Sequence, residues 1–271
     1  MSLFELAELS AGIILVYVLL IWLLSLALKN ASIMDIFWGM GFVTLAVVAL
    51  LLGGGAPSRK LLVATLVGVW GLRLSLHILL RNWGRPEDYR YRAWRKQAGN
   101  SFWFLSLFQV FLLQGLLLVL VAGPILAAES SAQPNSLTLL DLGGTIVWAI
   151  GFYFEAVGDW QLEQFKRTRS SPGQVLRTGL WAWTRHPNYF GDALVWWGLA
   201  LIALATPGGF LLLYSPVLMT ILLLRVSGVA LLEKGLAKTK PEYRQYIAST
   251  SSFIPWFPRN GKPGKQDTHE G

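Results

Sequence analysis

The chain has 271 residues, of which 54% are hydrophobic and 14% are charged, and its net charge is +8. Soluble domains carry about 25% charged residues, so this composition excludes an ordinary soluble globular protein. The chain contains no cysteine, which excludes disulfides and gives no information on the redox compartment.

Several apolar stretches are long enough to cross the hydrocarbon core of a bilayer, which needs roughly 20 residues per helix. Residues 11–28, 102–128 and 193–224 carry no charge. The first stretch lacks a basic region before it and a small-residue cleavage site after it. We therefore expect it to be a retained helix and not a signal peptide.

Glycine, proline and polar residues divide these stretches into separate predicted helices. Residues 1–262 are predicted to form one membrane-embedded domain and residues 263–271 a disordered tail. A basic loop is expected at 81–101. The sequence thus predicts an all-α integral membrane protein with about seven transmembrane helices, at 11–28, 33–52, 61–81, 102–127, 138–160 (continuing to 166), 190–206 and 210–232.

The basic residues predict the orientation of these helices. Six Lys or Arg fall in residues 81–101, five in 164–187 and seven after residue 232, whereas the opposite loops hold Arg59 and Lys60. Alternation puts the three basic regions on one side, and the positive-inside rule makes that side the cytosol. We therefore expect the N-terminus outside and the C-terminus inside. Membrane lipids, and no nucleic acid, are the expected partners of this charge.

Polar residues follow one face at the end of predicted helix 5. Glu155, Asp159, Glu163 and the pair Lys166 and Arg167 share this face, because residues three or four apart are neighbours on a helix. Carboxylates at membrane depth are costly and usually mark a functional site or a buried pair. Glu155 and Asp159 are therefore site candidates. For Glu163 the alternative is an i,i+4 ion pair with Arg167.

The densest polar stretch of the chain is RHPNYFGD at residues 185–192. Pro187 biases the residue before it away from the helical conformation and suits the first turn of a new helix. Asn188, Tyr189 and Asp192 are therefore expected on the first turns of helix 6. Helix N-terminal amides and the arginine that opens the stretch suit an anion such as phosphate.

Further basic side chains precede this stretch on the same predicted side. Lys166, Arg167 and Arg177, together with Arg185, would form a pocket for a nucleotide that carries several phosphates. The alternative for such basic residues is contact with anionic lipid headgroups. Trp181 is a candidate to stack on a nucleotide base, and the alternative is a place in the interfacial aromatic belt. No Cys/His cluster has metal-ligand spacing, so we expect no metal.

The stretch 179–198, with RHPNYFGD, resembles the C-terminal signature of the membrane sterol reductase and steroid 5-alpha-reductase superfamily. The whole chain resembles an uncharacterised, bacterial-type branch with a steroid 5-alpha-reductase C-terminal-like domain. The supporting motifs are SIMD at 32–35, WG at 38–39, EDYRY at 87–91, DWQL at 159–162, FK at 165–166, EYRQY at 242–246 and FIP at 253–255.

This resemblance implies a multi-helix membrane protein whose C-terminal half binds NADPH from the cytosolic side. Steroid 5-alpha-reductases carry a Gln-Glu pair in an early helix that helps to hold the substrate carbonyl, and helix 2 of this chain has no such pair. The catalytic acid is therefore not carried over. The residues that the resemblance places at the cofactor are Asp159, Lys166 or Arg167, Arg185, Asn188, Tyr189 and Asp192, with Glu233 and Tyr246 as weaker matches. His186, inside the same polar stretch, is a further candidate for cofactor binding.

Three residues are candidates for the proton donor. Asp35 lies at the cytosolic start of helix 2, where the pattern Ser32-x-x-Asp35 also predicts a capping box. Tyr91 lies on the cytosolic side, and its alternative is an interfacial aromatic. Tyr189 lies inside the polar stretch, and a phenol can donate a proton to an enolate as it forms.

The function that we expect is NADPH-dependent reduction of a C=C bond in a lipid- or steroid-like small molecule. The substrate would enter from the bilayer and the cofactor from the cytosol. One alternative is an S-adenosylmethionine-dependent membrane methyltransferase of the lipid or isoprenylcysteine type. Those enzymes share an Arg-His-Pro-x-Tyr-x-Gly stretch and a glutamate after the last helix, as Glu233 is here. A second alternative is a non-enzymatic lipid-binding or transport protein.

Overall fold

The structure is a computed structural model that describes residues 1–171, 173–226, 229, 233, 235–236 and 241–258. Among these residues the regular structure is helical, and one isolated parallel bridge joins Thr184 to Ser251. The α-helices are α1 (Leu3–Leu28), α2 (Ile33–Leu52), α3 (Pro57–Asn82), α4 (Tyr89–Ala98), α5 (Phe102–Ser106), α6 (Leu113–Val121), α7 (Gly123–Ser130), α8 (Leu139–Thr168), α9 (Pro187–Leu204), α10 (Tyr214–Ile221) and α11 (Pro241–Ser249).

Five helical segments of the described chain are long and apolar enough to cross a membrane. They are α1, α2, α3, the segment Tyr89–Val121 and α8, and a shorter apolar segment covers Gly209–Arg225. The predicted class, an all-α multi-pass membrane protein, is confirmed at this level. The count of seven spans and the orientation of the termini stay predictions.

The helix predicted at 102–127 is confirmed as far as Val121, within the candidate span Tyr89–Val121, but its predicted end at residue 127 is wrong. The chain there forms α5, a π-helical turn at Leu107–Leu112, α6 and then the separate helix α7. Pro124 lies in the first turn of α7, where a proline is tolerated because that N–H has no partner within the helix. The apolar run therefore continues through a break that its composition does not reveal.

The basic loop expected at 81–101 also contains a helix, α4. The Asp88 carboxylate accepts a hydrogen bond from the backbone N–H of Arg90 at 2.9 Å and caps the start of this helix. Gly99, with φ of 54°, follows its last residue. Arginine, lysine, alanine and glutamine are good helix formers, so the segment is helical despite its charge.

The chain packs as two compact units. Unit 1 comprises Met1–Thr145 and Leu199–Pro216, and unit 2 comprises Ile146–Gly198 and Val217–Gly271. The predicted tail at 263–271 lies outside the described residues, as do residues 227, 228 and 230–232 of predicted helix 7. The single domain predicted over 1–262 stays a prediction.

Close helix contacts in unit 1 depend on glycine. A Cβ atom on Gly71 would lie 2.7 Å from the carbonyl oxygen of Gly39, so α2 and α3 cross with their backbones almost in contact. The Ser75 hydroxyl also accepts a hydrogen bond from the Met40 N–H at 3.1 Å. Small residues at a crossing point are the usual way in which membrane helices gain close packing.

Arg59 and Asp141 form a fully buried ion pair in unit 1. Their side chains are 0% and 1% exposed, and the Nε–Oδ1 distance is 2.8 Å. The guanidinium also donates to the carbonyl oxygens of Pro134 at 2.8 Å and Ser136 at 2.9 Å. The pair therefore fixes the connection between α7 and α8 to the start of α3.

Glu129, near the end of α7, is a buried acid of a different kind. It is 0% exposed, and neither carboxylate oxygen has a hydrogen-bond partner among the described residues. Burial raises the pKa of this carboxyl to about 9, although the charge of Lys60 lowers it somewhat. The folded protein therefore holds Glu129 in its neutral, protonated form at pH 7.

We expect the stability of the wild type, relative to Glu129→Gln, to fall as the pH rises from 5 to 7. The folded pKa lies above the ordinary value of 4.5, so in this range the folded state binds a proton that the unfolded state has released. Each pH unit then costs up to about 1.4 kcal/mol, whereas the amide does not titrate. Thermal unfolding of both proteins at pH 5, 6 and 7 measures the difference. Parallel stability curves would contradict a protonated Glu129.

Candidate cofactor and active site

The polar stretch 185–192 lies at the start of α9 in unit 2. Pro187 is the first residue of α9, and the Phe190 N–H donates to the His186 carbonyl oxygen at 3.0 Å. This confirms the prediction that Asn188, Tyr189 and Asp192 lie on the first turns of the helix. Local backbone chemistry is sufficient here, because proline both prevents helix before it and starts helix at its own position.

Glycines bring the end of α8 against the start of α9. A Cβ on Gly151 would lie 2.6 Å from the Gly191 carbonyl oxygen, and a Cβ on Gly158 would lie 3.2 Å from the Asn188 nitrogen. The Asn188 side-chain amide then donates to Asp159 Oδ1 at 2.9 Å. The close crossing therefore joins the two predicted polar faces, one from each helix, and Asp159 is only 8% exposed.

Arg185, His186 and Glu233 form the charged centre of this region. Arg185 Nε lies 2.6 Å from Glu233 Oε1, and its Nη2 lies 3.1 Å from Oε2. His186 Nε2 lies 3.1 Å from the same Oε1. Burial by itself would raise the pKa of Glu233, but the hydrogen bonds and charges of His186 and Arg185 outweigh it and lower this pKa to about 2. Glu233 is therefore ionised at neutral pH.

The guanidinium of Arg185 is largely used by the protein itself. Besides the two contacts with Glu233, its Nη1 donates to the backbone carbonyl oxygens of Ile247 and Thr250 at the end of α11. The side chain is 7% exposed. In this geometry Arg185 orients Glu233 and anchors α11, and it has little donor capacity left for the phosphate contact expected from the sequence.

We expect Glu233→Gln to lower the stability at pH 7 by about 1–3 kcal/mol, the usual effect of losing a hydrogen bond to a charged group. The folded pKa of Glu233 is lowered, so its contribution is complete above pH 4.5 and is lost as the pH falls towards 2. Unfolding of both proteins at pH 7, 5 and 3 tests this, with Glu163→Gln as the exposed control. A difference of the same size at pH 7 and pH 3 would refute it.

Tyr189 and Trp181 flank this centre. The Tyr189 ring stacks on His186, with centroids 5.6 Å apart and planes 7° apart. Trp181 is 8% exposed, and its indole N–H donates to the Gly158 carbonyl oxygen at 3.0 Å. The contact made by Trp181 packs the turn at Gly179–Ala182 against α8. Its buried ring leaves little surface for stacking on a base.

The basic side chains expected at the phosphates have different environments. Lys166 and Arg167 are exposed at the end of α8, and Arg167 Nε lies 3.2 Å from Glu163 Oε1, which confirms the predicted i,i+4 pair. Arg177 is exposed, and its Nη2 donates to the Glu242 carbonyl oxygen at 2.6 Å. A cleft of about 510 Å³ beside it is lined by Phe165, Gln174, Val175, Arg177, Glu242 and Gln245.

The other two proton-donor candidates meet each other in unit 1. The Tyr91 hydroxyl donates to Asp35 Oδ1 at 2.7 Å, and Arg90 Nη2 lies 3.0 Å from Oδ2. Tyr91 is 5% exposed, so the alternative of an interfacial aromatic is wrong. The capping box is also wrong, because the Ser32 hydroxyl bonds Asn30 and makes no cap bond.

Arg90 and Gln161 lie within the motifs EDYRY and DWQL, but the sequence did not predict the contacts that they make in the site region. Arg90 holds Asp35 from 55 residues away, and the Gln161 Oε1 accepts the Leu180 N–H at 3.0 Å from 19 residues away. Gly179, with φ of 61°, lies against Gln161, and no Cβ would fit between them. Gly179, which precedes the polar stretch 185–192, was the one local signal for the contact between Gln161 and Leu180.

Comparisons with known proteins were informative at the level of the family. No solved structure matches the chain. An uncharacterized protein of Schizosaccharomyces pombe is similar, with 26% identity over 276 residues that cover 90% of this chain and 78% of the yeast protein. The family model "Protein of unknown function (DUF1295)" matches residues 21–250. The bacterial-type branch stays a prediction. The chain therefore belongs to DUF1295, which is a steroid 5-alpha-reductase-like family.

Proposed function

We propose that this protein is a membrane-embedded reductase that uses NADPH to reduce a C=C bond in a lipid- or steroid-like substrate. The observation that carries the proposal is the polar cluster at the start of α9, in a member of a steroid 5-alpha-reductase-like family. There Asn188 bonds Asp159, and Tyr189 stacks on a histidine held by Glu233. Such a concentration of polar groups beside apolar helices is typical of a functional site in a membrane protein.

The residues of unit 2 fit a dinucleotide phosphate. Lys166 and Arg177 offer exposed cations for its phosphates, and charge-assisted hydrogen bonds to phosphate are among the stronger ones that proteins form. Asn188 and Asp192 supply amide and carboxylate groups for its sugar and amide functions. Glu233, Ile247 and Thr250 already occupy the hydrogen-bond donors of Arg185. Arg185 therefore holds the cluster together and acts on the phosphates through its positive charge.

The chemistry needs a hydride at one carbon of the double bond and a proton at the other, so that one π bond breaks and two C–H bonds form. When bound, NADPH supplies the hydride. Tyr189 holds the proton for the carbon where negative charge develops. Its ring is stacked on His186, which Glu233 orients, and these contacts fix the position of the ring that carries the hydroxyl.

Ligand binding is the first test of the proposal. The thermal unfolding of the detergent-solubilised full chain is measured with NADPH, NADH and S-adenosylmethionine. We expect NADPH at about 100 times its Kd to stabilise the protein by about 2.7 kcal/mol, and S-adenosylmethionine to give no shift. Lys166→Gln/Arg177→Gln should weaken the NADPH effect, and Lys29→Gln serves as the matched control. A protein that no nicotinamide cofactor stabilises would refute the reductase.

A second candidate function is S-adenosylmethionine-dependent methyl transfer to a membrane substrate. The observation that favours it is the contact of Glu233 with Arg185 and His186. Membrane methyltransferases of the isoprenylcysteine and phospholipid type share the Arg-His-Pro stretch and a glutamate after the last helix. Stabilisation by S-adenosylmethionine, with none by NADPH, would select this function.

A further inference from the structure

The short helix α4 in unit 1 separates its basic residues into two groups. Arg90 pairs with Asp35 and Asp88, at 3.0 Å and 2.9 Å. Arg95 Nη2 lies 2.8 Å from Glu87 Oε1, and its guanidinium lies 4.2 Å from the ring centroid of Phe102. These two arginines attach the helix to the rest of unit 1, and carboxylates of the protein already pair with their charges.

Arg92 and Lys96 form the second group. Both are exposed, and neither side chain has a hydrogen-bond or ion-pair partner within the part of the chain that the structure describes. They lie four residues apart on one face, together with Tyr89, which is 59% exposed. We call these three residues the α4 basic face. Two like charges at this spacing destabilise a helix by a few tenths of a kcal/mol, unless an anion lies between them.

The surroundings of the α4 basic face are those of a bilayer surface. The helix follows α3, a candidate span, and precedes the apolar part of the segment Tyr89–Val121. Trp83, which precedes α4 in the chain, is 75% exposed, and Trp103, which follows it, is 54% exposed. Exposed tryptophan at the end of a span is typical of the membrane–water interface. A basic face between such residues is typical of a segment at the level of the headgroups.

We propose that the α4 basic face binds the phosphate groups of anionic phospholipids in the bilayer. Arg92 and Lys96 supply the charge, and Tyr89 supplies an amphipathic ring at headgroup level. Arg90 and Arg95 hold the helix in position from its other side. The proposal is independent of the reaction that the protein catalyses, because none of the three residues belongs to the cofactor or proton-donor groups.

Equilibrium binding of phosphatidylglycerol and phosphatidylcholine to the detergent-solubilised full chain, followed by native mass spectrometry, tests this. We expect the wild type to prefer phosphatidylglycerol. Arg92→Gln/Lys96→Gln should lower the phosphatidylglycerol affinity about 30-fold, since each basic residue near a membrane surface contributes roughly fivefold. The phosphatidylcholine affinity should not change. The preference should also weaken as salt is added, because the contacts are exposed to solvent.

Two control variants make the result specific. Arg92→Lys/Lys96→Arg keeps both charges and should retain the preference, which also shows that the face tolerates substitution. Lys29→Gln/Arg244→Gln removes two other exposed cations and should leave the preference within about threefold. Equal affinities in the wild type and Arg92→Gln/Lys96→Gln would overturn the proposal, as would an equal loss in Lys29→Gln/Arg244→Gln. Competition by soluble glycerol phosphate at equal concentration would overturn the assignment to bilayer lipid.

Discussion

Tyr189→Phe is expected to lower turnover by about 10²–10⁴-fold, the usual contribution of a positioned general acid. The substitution removes the hydroxyl and keeps the ring that stacks on His186, with centroids 5.6 Å apart. The cofactor affinity should therefore stay within about threefold of the wild type, because the packing of the cluster is preserved. The measurement is the single-turnover rate of NADPH oxidation with substrate, beside the Kd for NADPH.

Tyr91→Phe and Asp35→Asn are the controls for this result. Both residues lie in unit 1, where the phenol donates to the carboxylate at 2.7 Å, and this pair is the alternative proton donor. If Tyr189 is the donor, the two unit 1 variants should keep most of the single-turnover rate. If Tyr189→Phe keeps the wild-type single-turnover rate and Tyr91→Phe lowers that rate about 100-fold, the Asp35–Tyr91 pair is the proton donor instead.

Asp141→Ala is expected to cost about 3–5 kcal/mol of stability, because it leaves the buried Arg59 guanidinium without its counter-charge. Arg59 is 0% exposed and donates to both oxygens of Asp141. The Asp141 carboxylate also accepts from the Thr138 N–H at 2.7 Å at the start of α8. The substitution therefore removes a counter-ion and a helix cap together, while the proposed cofactor residues are untouched.

Thermal or denaturant unfolding of Asp141→Ala measures the loss. The control is Glu163→Ala, which breaks the exposed pair with Arg167 and should cost under about 1 kcal/mol. The double variant Arg59→Met/Asp141→Leu should recover much of the stability, because apolar residues of similar size leave no unpaired charge. Similar losses in Asp141→Ala and Glu163→Ala would show that burial of the Arg59–Asp141 pair has little energetic effect.

The local features of the protein follow from short stretches of residues. Uncharged runs predict the membrane helices, Pro187 predicts the start of α9, and the spacing of Glu163 and Arg167 predicts their ion pair. Each of these depends on hydrophobicity, on one backbone dihedral angle or on the 3.6-residue repeat of a helix. Such properties belong to a segment and are independent of the rest of the chain.

The wrong predictions arose where a distant residue competes for a local group. Ser32 does not complete its capping box, because its hydroxyl bonds Asn30 and accepts the N–H of Asp88 from 56 residues away. The sequence around Tyr91 is typical of an interfacial aromatic, yet its hydroxyl bonds Asp35 and its side chain is buried inside the protein. A polar side chain bonds the partner that tertiary packing brings close to it, and the local sequence pattern does not predict which residue that partner is.

The ion pairs and hydrogen bonds that build the candidate site were settled by tertiary structure. Arg185 meets Glu233 across 48 residues and Asn188 meets Asp159 across 29, while in unit 1 Arg59 meets Asp141 across 82. The sequence indicates that a charge in an apolar helix needs a partner, because an unpaired buried charge is costly. From the sequence alone, several carboxylates could equally well be the partner of such a charge. The choice among them depends on the crossing point and rotation of the helices, which close contacts such as Gly151 on Gly191 fix in space.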